Sequence, residues 1–183
     1  MQTITFQNRN GQGITMAADI HTPADFDAAK RYPAIVIAHP GGGVKEQAAG
    51  LYAAKLAEQG FVAVAFDASY QGASTGEPRQ LENPYIRTED VSAVIDHLTT
   101  LAFVDADRIA AMGVCAGGGY AANAAINDRR IKALGTVSAV NIGAMFRNGW
   151  EGTTPSADAA GLLQYGAQAR SNDAAAQAMT IPL

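Results

Sequence analysis

The chain of 183 residues is poor in the side chains that staple or metallate small folds, with one cysteine and three histidines. One cysteine forms no internal disulfide. Three histidines far apart in sequence (His21, His39, His97) make no metal cage, so redox stapling and structural zinc are excluded and no metal is expected. Basic charge is also scarce: 13 Lys and Arg stand against 17 Asp and Glu, a formal net charge of -4. No basic tract is long enough to track a phosphate backbone, so nucleic acid is not an expected partner. Apolar residues nowhere run for the roughly 18 positions of a membrane helix. The N-terminal MQTITFQNRN has neither a basic nor an apolar targeting region, and the reading is a cytoplasmic chain with no membrane partner. Phosphate-cradling motifs are missing too, because neither GKS nor GKT follows glycines 41 to 43 and no G-x-G-x-x-G opens a helix. No nucleotide or other cofactor is expected. Internal repeats and low-complexity tracts are absent.

What is present is a core-forming composition, 48% hydrophobic, with a regular alternation of elements. ITFQN and ITMAADI alternate apolar and polar residues around NGQG, which predicts an antiparallel hairpin. YPAIVIAHP and FVAVAFD are short continuous apolar runs, the signature of strands buried on both faces. Between them KEQAAGLYAAKLAEQG has helical spacing and stops at Gly60. A turn-rich stretch leads to a second helix, YIRTEDVSAVIDHLTTL, with Val91, Val94, Ile95, Leu98 and Leu101 on one stripe. DADRIAAMGV then predicts a strand, AGGGYAANAAI a helix of small residues and IKALGTVSAV a further strand. Strands alternating with helices predict an α/β class, a doubly wound and mostly parallel sheet preceded by the hairpin. Residues 1–149 are read as this core, and the Ala-rich residues 150–183 as a helical lid or cap.

The lone cysteine sits in GVCAGGGYAA, on the turn from a buried strand into a helix. A nucleophile there is lifted above the sheet, and its neighbours must be small because the backbone packs closely, a demand met by Gly113 and Gly117. The helix N-terminus favours the thiolate. The N–H of Ala116 is aimed at any oxyanion formed on an acyl carbon attacked by Cys115. A second donor belongs to the loop HPGGG. Pro40 has no N–H, which leaves Gly41 or one of the next two residues, with Gly41 and Gly42 preferred and Gly43 shaping the loop. Taken alone, a single cysteine is more often a small buried hydrophobe than a catalyst; the strand, turn and small-residue helix together select the nucleophile reading.

AHPGGGVKEQ, FDASYQGASTGEPR and VDADRIAAMGVCAGGGYAA, in this order and spacing over roughly residues 14 to 140, resemble the oxyanion loop, the loop after strand four and the nucleophile elbow of α/β-hydrolases. The resemblance is to the dienelactone hydrolase-like branch and its relatives near the X-Pro dipeptidyl peptidases, where cysteine can hold the nucleophile position. It implies hydrolysis of an ester, lactone or related acyl bond of a small molecule through an acyl-enzyme. In hydrolases of this shape the position of Asp67 orders its own loop with the following Gly and Ser residues, and that role is preferred to catalysis. His39 is read as shaping the glycine loop by hydrogen bonds, with general-base work the alternative. His97, beside Asp96, is read as a solvated surface residue.

The family pattern also calls for an acid and a histidine after the nucleophile, on loops following two further strands. No histidine follows His97, and the late aspartates Asp158 and Asp173 lie in the Ala-rich segment. The chain therefore looks like roughly the N-terminal two-thirds of such a hydrolase. Three accounts stand. A second polypeptide or fragment of roughly one hundred residues supplies the missing strands, acid and histidine. The chain is a non-catalytic binding or interaction module, or a homo-oligomer, that keeps the oxyanion pocket. Or a non-standard base such as His39 serves in place of the missing histidine.

Overall fold

The structure, a computed structural model, describes residues 1–177. Its elements are β1 (Gln2–Gln7), β2 (Thr15–His21), β3 (Tyr32–Ala38), α1 (Ala48–Ala57), β4 (Val62–Phe66), α2 (Pro84–Leu98), β5 (Val104–Val114), α3 (Ala116–Asn127), β6 (Ile131–Val137), α4 (Ile142–Asn148) and α5 (Ser156–Ala174). The six strands form one sheet in the order β1-β2-β4-β3-β5-β6. β2 runs antiparallel to both β1 and β4, while β3, β4, β5 and β6 are parallel. This is the expected α/β fold, with the hairpin at its start. Gly11 and Gly13 take the positive φ that the reversal between β1 and β2 needs.

Alternation along β3 explains why its run is unbroken by polar residues. Ala34, Val36 and Ala38 face one side, packing with Val91, Val94, Ile95 and Leu98 of α2 and with Ala121 and Ala124 of α3. Ile35 and Ile37 face the other, against Ala49 and Ala53 of α1. A parallel strand covered on both faces must be apolar at every position. The helices leave β3 on opposite sides: the crossover through α1 leads to β4, and the crossover through α2 returns to β5 on the other flank. The carboxyl ends of β3 and β5, where Ala38 pairs with Gly113, therefore lie side by side while their loops diverge. Such a switch point opens a crevice.

The chain divides into two compact units, Met1–Val140 and the segment from Asn141 onward. The second unit contains α4, which sequence periodicity did not single out. The Asn141 side chain caps this short helix by accepting from the Ala144 N–H at 2.9 Å. It also contains α5, inside the stretch expected to be a helical cap, whose described side chains are largely exposed. The last residues of that stretch, 178–183 with the closing MTIPL, lie outside the described residues. Among the described residues no helix is long and apolar enough to cross a membrane.

Candidate active site

Cys115 occupies the single residue between β5 and α3 with φ 55° and ψ -122°. A non-glycine side chain in this conformation is strained and persists only where its surroundings fix it. They do so through the main chain: the Cys115 N–H donates to Val137 O at 2.9 Å, and its carbonyl accepts from Gly118 N–H and Val140 N–H, both at 3.0 Å. The three glycines around it are forced by space. A Cβ at Gly113 would lie 2.1 Å from Gly117 O, one at Gly117 would lie 2.3 Å from Ala38 O, and one at Gly118 would lie 2.8 Å from Ala139 Cβ. The half-buried thiol is thus presented at the N-terminus of a 12-residue helix.

The loop after β3 faces this turn. A Cβ at Gly41 would come 3.7 Å from Ala116 Cβ, so the loop stands beside the elbow with room for about one methyl group between them. Gly41 and Gly42 are exposed, and Gly42 has φ 66°. The Gly43 N–H closes a turn onto Pro40 O at 3.0 Å, which leaves Gly41 and Gly42 as the loop's available donors. His39 holds the loop from within. Its ring is fully buried, Nδ1 lies 2.7 Å from Pro40 O, and Nε2 accepts from the Ala68 N–H at 3.2 Å. Because the Ala68 amide can only donate, Nε2 is the acceptor and Nδ1 carries the proton given to Pro40. Burial, and next the Arg87 guanidinium, push the imidazole down to about 4. A neutral ring with both nitrogens engaged is suited to shaping the loop and poorly suited to taking a proton from Cys115.

Asp67, at the carboxyl end of β4 and fully buried, accepts from Lys45 N–H at 2.8 Å, from Lys45 Nζ at 3.0 Å and from Ala73 N–H at 2.9 Å. Ser74 Oγ donates to its carbonyl at 2.7 Å. Gly72, with φ 53°, lies so close that a Cβ there would overlap the carboxylate at 2.3 Å. The Asp67 carboxylate thus fastens the loop after β4 to the loop after β3.

The other histidines are placed elsewhere. His21 pairs with Ala63 at the start of β4, the end of the sheet opposite Cys115. His97 differs from its expected place in solvent: it is half-buried and stacks on Phe6 with ring centroids 4.7 Å apart, and burial lowers its affinity for a proton. The reason is β1, whose Phe6 covers the last turn of α2.

Two residues of the site region escaped the sequence reading. Arg87, 1% exposed, donates from its terminal nitrogens to Glu82 Oε1 and Oε2 at 3.0 and 2.9 Å and to His39 O at 2.8 Å, with its guanidinium carbon 4.9 Å from the Tyr120 ring centroid. Asp90, fully buried, accepts from Ser69 N–H at 2.8 Å, Ser69 Oγ at 2.6 Å and Asn8 Nδ2 at 3.0 Å. Burial outweighs these bonds and raises its carboxyl to about 6. The available signal was spacing: Arg87 precedes Val91 by four positions and Asp90 precedes Val94 by four, so both charges stand in line with the apolar stripe of α2.

Comparison with known proteins bears on the family of the chain. The chain is 65% identical over 170 residues to the protein YcjY of Escherichia coli (strain K12), a match covering 93% of this chain and 56% of that one. The crystal structure of the hypothetical protein PA2218 from Pseudomonas aeruginosa superposes with a TM-score of 0.89 at 41% identity, over 97% of this chain and 54% of that one. The acyltransferase drtE of Aspergillus calidoustus is 34% identical over 114 residues, 62% of this chain and 37% of that one. The chain thus spans about half the length of YcjY and PA2218. The sequence pattern of the dienelactone hydrolase family matches residues 16–139, which begin in β2 and end just beyond β6. The matched stretch holds the strained Cys115 turn, the glycine loop that meets it and the Asp67 fastening between loops, and by that match the chain belongs to the dienelactone hydrolase family.

Proposed function

We propose that this chain carries the nucleophile and oxyanion hole of an acyl hydrolase that acts on a small ester or lactone. The observation that carries the reading is Cys115 held at φ 55° between β5 and α3 with the Gly41 loop standing beside Ala116. In the reaction the Cys115 thiolate attacks the acyl carbon, and the Sγ–C bond forms as the carbonyl electrons move onto oxygen. The resulting oxyanion is held by the N–H of Ala116 and by those of Gly41 and Gly42. Collapse expels the alkoxide with a proton, and water then hydrolyses the thioester to free acid and thiol. A relative named as an acyltransferase supports acyl chemistry as the reaction class.

His39 is engaged in shaping the glycine loop and His21 and His97 stand away from Cys115, so the base and acid come from protein outside these residues: a second polypeptide, or further sequence of the same protein, docked on β6. The test is intact-mass analysis after exposure to p-nitrophenyl acetate. The unsubstituted chain gains one acetyl group, and Cys115→Ala gains none while keeping its circular dichroism spectrum. An Ala variant that still gains one acetyl group at the unsubstituted rate, or ester turnover undiminished in it, overturns the assignment. A chain that is never acetylated although its thiol is free favours the binding-module reading.

A further inference from the structure

Arg87 is buried at a place where the proposed reaction needs geometry rather than another proton donor. A guanidinium that is 1% exposed is costly unless its donors are satisfied, and here they are distributed over separate pieces of chain. One terminal nitrogen donates to His39 O at 2.8 Å, the carbonyl at the root of the glycine loop. That same carbonyl lies 2.5 Å from where a Gly117 Cβ would stand, so it also forms the floor under the first turn of α3. The other terminal nitrogen grips both oxygens of Glu82. The Glu82 carboxylate in turn accepts from Tyr120 Oη at 2.7 Å and from Gln71 Nε2 at 2.8 Å. Tyr120 belongs to α3, five residues after Cys115, and its ring lies under the guanidinium. Gln71 belongs to the loop after β4.

We infer that Arg87, together with Glu82, is a positioning residue that sets the spacing between the two halves of the oxyanion hole, the Ala116 N–H on α3 and the Gly41 and Gly42 N–H groups on the loop after β3. The inference rests on the reading of Cys115 as an acyl-accepting nucleophile. Its physical basis is rigidity. The loop is fixed from one side by the Lys45–Asp67 pair and from the other by Arg87, and only the second fixing also contacts α3. Losing it lets the two sets of donors drift apart without touching the thiol or the helix terminus that activates it.

The test separates donor spacing from thiol reactivity by running two reactions on the same cysteine. Acetylation by p-nitrophenyl acetate forms the Sγ–C bond and expels p-nitrophenolate through an oxyanion. Alkylation by iodoacetamide forms an Sγ–C bond at a saturated carbon, expels iodide and develops no oxyanion. In Arg87→Lys and in Glu82→Gln, acetylation is expected to fall by about tenfold or more while alkylation stays within about twofold, since misplacement of about 1 Å suffices for such losses. Equal acetylation in the variants and the unsubstituted chain overturns the inference. So does a parallel fall of both reactions, which reports a general loss of thiolate or fold. If Arg87→Lys does not fold, Glu82→Gln, which keeps the side-chain shape and can still accept, decides alone. If the unsubstituted chain alkylates but does not acetylate, the nucleophile reading itself is overturned and the inference falls with it.

Discussion

His39 and Asp90 pull stability in opposite directions across one window of pH. The His39 imidazole binds a proton near 6.5 when unfolded but only at about 4 in the fold. Between those values the unfolded state holds more protons, so the contribution of His39 is present above 6.5 and is lost as pH falls towards 4. Asp90 moves from 3.8 up to about 6, so in its window the folded state holds the extra proton and stability declines as pH rises. Each shift corresponds to at most about 3 kcal/mol, and the two nearly cancel. Single substitutions unmask them. A glutamine at 39 can donate to Pro40 O and accept from Ala68, so the stability curve of His39→Gln, compared with the unsubstituted one, should tilt towards lower stability as pH rises from about 4 to about 6. Asp90→Asn should do the reverse and steepen the loss on acidification. Denaturant midpoints measured across this range check both, and variant curves that run parallel to the unsubstituted one would show that neither group is perturbed.

Among elements, α3 depends most on residues too small to be seen as contacts. Gly117 lets the first turn of the helix rest on the carbonyls of β3, and a methyl group there meets Ala38 O at 2.3 Å and His39 O at 2.5 Å, main-chain atoms that cannot rotate away. Gly117→Ala should therefore cost about 3 kcal/mol, a Tm lower by roughly 6 to 12 °C. Gly41→Ala is the contrast. Its methyl would make an ordinary 3.7 Å contact with Ala116, so stability should stay within about 0.5 kcal/mol while acetylation of Cys115 slows, because the group intrudes where loop and elbow meet. Thermal melts and acetylation rates of the two variants check the pair. This also marks what was legible beforehand. Buried parallel strands are visible as unbroken apolar runs, and the elbow as a cysteine among glycines, because both constraints are local in sequence. The partners of Arg87 were not, since His39 lies 48 positions away and reaches it only after the sheet has brought β3 beside α2. Asp90 was hidden for the same reason, its partners Ser69 and Asn8 being supplied by a loop and a hairpin distant in sequence.

At the scale of the whole molecule, the strand that anchors Cys115 is also the least protected. β6 holds Cys115 in place through Val137 O, yet residues 132–136 are exposed along its length and its outer edge has no strand partner among the described residues. Parallel strands are stable when both faces are covered, and an open edge is a template for another chain. YcjY and PA2218 are nearly twice as long as the part that this chain matches. Purified by itself, the chain should cover this edge by self-association or by retaining a second polypeptide, and a native mass spectrum distinguishes the two. A stoichiometric partner bearing an acid and a histidine would complete the hydrolase. A homo-oligomer should be sensitive to charge on the strand: Leu134, 44% exposed, is the side chain to change, and Leu134→Lys should shift the population towards monomer without lowering Tm, since the lysine ammonium can remain in water. A chain that is monomeric before any substitution would show that β6 tolerates exposure. The elbow hung on that strand would then have to be rigid by virtue of β5 and α3 alone.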